Sequence, residues 1–108
     1  MNYLRYNNGQ GDQDPRAGIR VQFMHSDKND VTIMYNGLLA KSGANQVYLH
    51  TGLGQNWDRV YDHRMEPTNN GWEKTIQMES SELSFCFKDS ANNWDNNNGQ
   101  NWMFTKSR

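Results

Sequence analysis

Residues 83–102 read LSFCFKDSANNWDNNNGQNW, and the first five decide the fold. Leu83, Phe85 and Phe87 alternate with Ser84 and Cys86, so a period of two sets three large apolar side chains on one face of an extended chain. Upstream, Ile19, Val21 and Phe23 alternate with Arg20, Gln22 and Met24, and Val31, Ile33 and Tyr35 alternate with Thr32, Met34 and Asn36. In Gln46–Thr51, Val47 and Leu49 point one way, Tyr48 and His50 the other. Val60–Met65 reads as a further extended piece. Trp72, Lys74, Ile76 and Met78 share a face of another strand, where Lys74 fits only if its ammonium reaches the strand's edge. Trp102–Thr105 closes the chain as a last strand. Turn residues at Asp27–Asp30, Asn36-Gly37, Gly52–Asn56, Thr68–Gly71 and Glu79–Ser81 separate these runs, and no amphipathic helical stretch intervenes. The pattern predicts an all-β protein, an antiparallel β-sandwich, with a small barrel as the rival. Residues 19–108 make the domain; residues 1–18 read as a loose polar arm with a short strand at Tyr3–Tyr6.

Bulk properties narrow the function. A chain of 108 residues is one domain, and an apolar fraction of 34% leaves it only a thin core. With a net charge of −1 there is no basic field to condense on phosphates, so nucleic acid is not expected as a partner. Nothing approaches the length of a membrane-spanning run, and no membrane partner is expected. The lone Cys86 offers no internal disulfide and is expected to pack within its strand. His25, His50 and His63 have no metal-binding spacing. The run Asp95–Gly99 invites a calcium reading but misses the EF-hand template: Gly99 comes one place early, and Lys106 stands where the bidentate glutamate belongs. Neither metal nor cofactor is expected.

Catalysis is not expected either. Glycoside hydrolysis needs two carboxyl groups flanking the bond. Asp58, Asp89 and Asp95 all sit in solvated loop contexts with no apolar pocket to raise a pKa. No nucleophile elbow of the Gly-x-Ser-x-Gly type is present.

Aromatic side chains outside the core are the candidate binding residues. Trp94 stands in a very polar loop. An indole beside short amides offers a flat apolar face next to hydrogen-bonding groups, which suits a sugar ring with its C–H face and fringe of hydroxyls. The plainer alternative is a loop tryptophan folded back on the sheet, with the asparagines as turn residues. His50 faces away from Val47 and Leu49, beside Tyr48, and Trp57 follows a glycine loop and precedes Asp58-Arg59. Two indoles and an imidazole set at an angle would form a curved platform for a coiled polymer; coplanar rings would suit a flat one. Trp72 and Trp102 each begin a strand on an apolar face and read as core. A protein-interaction module using the same exposed aromatics is the alternative function.

Several blocks carry a family resemblance: VTIMYNGLL at Val31–Leu39, SGANQVYLHTG at Ser42–Gly52, Asn56-Trp57, Gly71-Trp72-Glu73, and the Leu83–Trp102 segment. In this order they resemble the starch-binding carbohydrate-binding modules of families 25 and 53, from about Val31 to the C-terminus. The resemblance implies an immunoglobulin-like β-sandwich that binds α-1,4-glucans without metal and without catalysis. It implies a platform of His50, Trp57 and Trp94, with Asn96, Asn97 and Asn98 as partners for sugar hydroxyls and Lys88 as a further contact. Such modules travel with amylases, so an amylase in the parent chain or pathway is an expected associate. A cytoplasmic location is expected if the chain is whole, an extracellular one if it is excised from a secreted amylolytic enzyme.

Overall fold

The computed structural model describes residues 2–5, 11–23 and 30–105, and these form two β-sheets joined by one short helix. The first sheet runs β1 (Asn2–Arg5), β11 (Trp102–Thr105), β9 (Glu82–Asp89), β5 (Val47–Leu53), β6 (Asp58–Arg64). The two-residue β10 (Trp94–Asp95) adds to β9 on this sheet. The second sheet runs β2 (Asp12–Asp14), β3 (Ile19–Phe23), β4 (Asp30–Tyr35), β8 (Gly71–Gln77), β7 (Glu66–Thr68). Every pairing is antiparallel except β1 with β11. Two separate sheets make this a β-sandwich, not a barrel.

The core forms where the alternating rows of the two sheets meet. Leu83, Phe85 and Phe87 of β9 stand opposite Leu53, Thr51 and Leu49 of β5. From the second sheet, Ile19, Val21, Val31, Ile33, Tyr35 and Ile76 face them, all buried. Tyr35 stacks on Phe87 across the interior, with centroids 4.0 Å apart and planes 18° apart. Phe85, Phe87 and Trp102 complete the cluster, with centroids 5.8–6.1 Å apart. Each such side chain removed from water contributes about 2–3 kcal/mol.

Trp102 is core as expected, 1% exposed, and its Nε1–H donates to Asp14 Oδ2 at 3.0 Å, tying β11 to β2. Trp72 is only half-buried against the core. Lys74 does share the inner face with Trp72 and Ile76, half-buried. Its charge acts on His63 of the facing sheet.

Within the segment read as a loose arm, Asn2–Arg5 and Asp12–Asp14 are strands. Strand β1 pairs with β11 and β2 pairs with β3, one edge strand for each sheet. An edge strand needs backbone partners on one side and little apolar surface, so a polar sequence can supply it. Here the buried Leu4, paired with Phe104, and the Asp14–Trp102 bond are sufficient anchors. The connector Gly37–Asn45 contains a one-turn helix, α1 (Leu38–Lys41), which is too short to show a helical period. Its start is held by Tyr35, whose hydroxyl accepts the Leu39 N–H at 2.9 Å. Tyr6, His25 and Lys106, and most of the turn expected at Asp27–Asp30, lie outside the described residues.

Candidate functional site

The outer face of the first sheet gathers the aromatic candidates by register. Alternation along β5 turns Tyr48, His50 and Gly52 outward, and along β9 it turns Ser84, Cys86 and Lys88 outward. Arg64, Tyr48, Lys88 and Trp94 are direct neighbours across β6, β5, β9 and β10. Asp62, His50 and Cys86 form the next row.

His50 lies between the two indoles. Its ring centroid is 5.7 Å from Trp57, with planes 31° apart, and 5.0 Å from Trp94, with planes 88° apart. The two indole planes therefore cannot be parallel, and the three rings make a bent surface. Trp94 is 44% exposed. Lys88 extends between Tyr48 and Trp94, its Nζ 5.3 Å and 5.7 Å from their centroids. Cation–π attraction at this distance is worth about 0.5–1 kcal/mol at an exposed site and holds the ammonium over the rings.

Trp57 reaches this face through an unusual backbone. The turn Gly54–Trp57, closed by Trp57 N–H donating to Gly54 O, leaves Trp57 at φ 56°. A bulky residue in the left-handed region is strained and persists only where its surroundings fix it. Gly52 is part of that surrounding: a Cβ there would lie 2.6 Å from Trp57 Cε3. The missing side chain lets the indole rest on the sheet, half-buried against the core.

Asp62 is the member that sequence reasoning missed. Its Oδ1 engages His50 Nδ1 and sets the imidazole's orientation. The signal was available in the Val60–Met65 run: if it pairs with Gln46–Thr51 as a hairpin, Asp62 shares a face with His50. Cys86 is 3% exposed although it faces outward, and burial pushes its thiol up to about 12, with Asp62 and Asp95 adding to the shift. It is therefore a packed thiol, not a nucleophile.

The structure brings His50, Trp57 and Trp94 together; the three amides lie in different surroundings. Asn96 Oδ1 accepts the Gly99 N–H at 2.9 Å, and Asn97 Nδ2 donates to Asn101 O at 3.1 Å. Asn97 and Asn98 line a cavity of about 360 Å³ with Asp14, Arg16, Leu38 and Trp102, and none of the three rings lines it. Asn92, Asn97, Asn98 and Asn101 all have φ between 55° and 64°, which explains the asparagine richness, since asparagine tolerates the left-handed region best after glycine. The excursion 96–101 separates β10, opposite Phe87 and Lys88, from β11, opposite residues 82–85, along the same side of β9. Asp95 turns inward, its Oδ2 accepting the Tyr35 hydroxyl at 2.6 Å. Beside Trp94 a groove of about 540 Å³ runs along α1 and the Asp89–Asn93 turn.

Among the described residues, no group of three His, Cys, Asp or Glu side chains is placed to hold a metal ion. The model of the starch/carbohydrate-binding module, family 53, matches residues 31–85. The chain belongs to this family. Of the two families it resembles by motif, 53 is the one matched, and the match takes in His50 and Trp57 and stops short of Trp94. An alpha-amylase of Clostridium acetobutylicum is 29% identical over 79 residues, 71% of this chain and 10% of that protein. A beta/alpha-amylase of Paenibacillus polymyxa is 35% identical over 81 residues, again 71% of this chain but 6% of that protein. The chain thus spans a tenth or less of the length of these relatives. No solved structure matches it closely.

Proposed function

We propose that this family 53 module binds α-1,4-linked glucans without catalysing their cleavage, on the bent surface of Trp57, His50 and Trp94. The observation that carries this reading is the imidazole placed 5.7 Å from one indole and 5.0 Å from the other, with the rings inclined to one another. Inclined rings suit a coiled glucan, whose successive sugar faces turn; a flat chain such as cellulose asks for coplanar rings. Stacking supplies most of the affinity. With His50 Nδ1 engaged by Asp62, Nε2 is the ring nitrogen that meets a sugar hydroxyl, and the Lys88 ammonium is a second donor. Asn96 and Asn97 act through the shape of the loop, to which their side chains are bonded, while the exposed Asn98 reaches a longer sugar.

The reading as a non-catalytic module rests on the carboxylates. Asp62 is committed to His50 and Asp95 to Tyr35, so these two carboxylates of the described residues are not a free pair flanking a bond laid across the rings. The similarity to short segments of two amylases supports an amylolytic partner in the parent chain or pathway.

Tryptophan fluorescence titrated with maltoheptaose, and in parallel with cellobiose and xylose oligomers, tests the proposal. A saturable response to the maltose series, with a Kd from roughly micromolar to millimolar for so small and open a contact, is expected. Silence with maltoheptaose would transfer the exposed rings to a protein partner.

A further inference from the structure

The edge strand β6 carries aromatic residues on the other face of the sheet as well. Asp62 stands on the outer face opposite His50, so by alternation Tyr61 and His63 stand on the inner face, opposite Thr51 and Leu49. Among the described residues β6 pairs with β5 alone and has no strand beyond it. The two sheets part at this edge and leave a cleft of about 400 Å³. Ile76 and Leu83, both buried, are its floor, and Arg59, Gln77 and Glu79 are its polar rim.

The cleft's aromatic wall is built. Tyr61 and His63 have ring centroids 4.7 Å apart with planes 59° apart. Thr51 Oγ1 lies 3.0 Å from His63 Nε2 and holds the imidazole. Tyr61 is 63% exposed, an aromatic face turned to solvent above an apolar floor. The lining also lacks net charge. Arg59 Nη1 donates to Glu79 Oε1 at 2.9 Å, and burial followed by the Lys74 charge holds His63 below its usual pKa, hence neutral at neutral pH. The lining thus combines an aromatic wall with a paired carboxylate and guanidinium and an amide, and Lys74 is a further charge felt at His63. It suits a neutral ring with hydroxyls at its edge, and its volume lies within the range of small-ligand sites.

We propose that this cleft is a second saccharide site, in which Tyr61 stacks on a glucose-type ring and Arg59, Gln77 and Glu79 bond its hydroxyls. The proposal rests on the reading of the domain as a glucan binder, but it uses residues the outer platform does not. Strand β6 then serves both faces, with Asp62 positioning His50 on one and Tyr61 contacting sugar on the other. Two sites on opposite faces of one sheet let a single domain hold two glucan segments, which raises retention on a polymer above that on a short sugar.

The test follows the imidazole proton signals of His63 and the indole N–H signals of Trp57 and Trp94 by NMR, with maltoheptaose added to about 10 mM, above the Kd expected of a small open contact. A saturable shift at His63 is expected; it persists in Trp94→Ala, disappears in Tyr61→Ala and returns in Tyr61→Phe. Gln77→Ala, at an exposed position, weakens the same shift and guards against a folding defect in Tyr61→Ala. If the indole signals move while His63 does not, the second site is refuted and the platform stands. If neither moves, both readings fall. A His63 shift that depends on protein concentration without sugar marks self-association through the β6 edge and also overturns the proposal.

Discussion

A β-carbon on Gly52 would lie 2.6 Å from Cε3 of Trp57 and 2.8 Å from its Cα. Neither contact is to the far end of a flexible chain, so Gly52→Ala must displace the indole or its strained turn. Overpacking of this kind costs about 1–3 kcal/mol. The expected outcome is a folded domain with a lowered melting temperature and maltoheptaose affinity reduced about tenfold, equivalent to about 1.4 kcal/mol. Calorimetric melting with fluorescence titration checks it. Unchanged affinity despite a lowered melting temperature would remove Trp57 from the sugar path.

Trp94 projects from a two-residue strand and is 44% exposed. Its truncation removes a stacking face and creates little cavity, so surface-like stability effects of about 0.5 kcal/mol are expected. Trp94→Ala should run through a starch affinity gel unretarded while its melting curve nearly overlays the parent's. If the variant unfolds instead, the indole is structural and the platform loses a member.

The Tyr35 hydroxyl donates to Asp95 Oδ2 at 2.6 Å and accepts the Leu39 N–H at 2.9 Å, so one group ties the core to β10 and to α1. Tyr35→Phe leaves a carboxylate and a buried amide without this partner and should cost about 2 kcal/mol in denaturant titration. Burial, then the bond to Asp95, raises the phenol well above its ordinary value of 10.0. The unfolded chain therefore loses this proton first, and the folded state loses stability as pH rises above 10.0. Tyr35→Phe should lack that part of the alkaline decline.

Asp89 closes the turn before Trp94. Its Oδ1 accepts the N–H groups of Ala91 and Asn93, and its Oδ2 accepts Asn93 Nδ2. The bonds from Asn93, then that from Ala91, hold the carboxyl below its ordinary 3.8, with Lys88 adding to them. A depressed folded-state pKa means a contribution that is full above 3.8 and lost as pH falls through the folded value. Melting temperatures from pH 6 down to about pH 2 should show Asp89→Ala less stable than the parent at the upper end, with the gap closing toward the acid end. A constant gap would mean that the turn does not depend on this charge.

Much of the placement of the candidate platform is legible in the sequence. Val47 and Leu49 inward demanded His50 outward, and the β5 register obeys that demand. The asparagine run has a second role that the sequence does not separate from ligand contact, because Asn97 Nδ2 and Asn96 Oδ1 also bond the loop's own backbone. A side chain that serves a left-handed turn and one that serves a sugar have the same sequence signature. Asp62 was missed because its meaning depends on a cross-strand neighbour twelve residues away. The strand expected at Tyr3–Tyr6 overlaps β1, whereas β2 is not expected from the sequence, because a three-residue edge strand carries almost no periodic signal and only its partner β3 reveals it.

The sequence alone determined the all-β class, the inward rows at Leu83–Phe87 and Val31–Tyr35, and the outward turn of His50, because side-chain alternation is a local property of an extended chain. The tertiary structure decided which strands are neighbours, and with them three things: the inclination of Trp94 against His50, the space Gly52 leaves for Trp57, and the open edge beside Tyr61. Each depends on register between segments far apart in the chain, and a period of two is the same in every register.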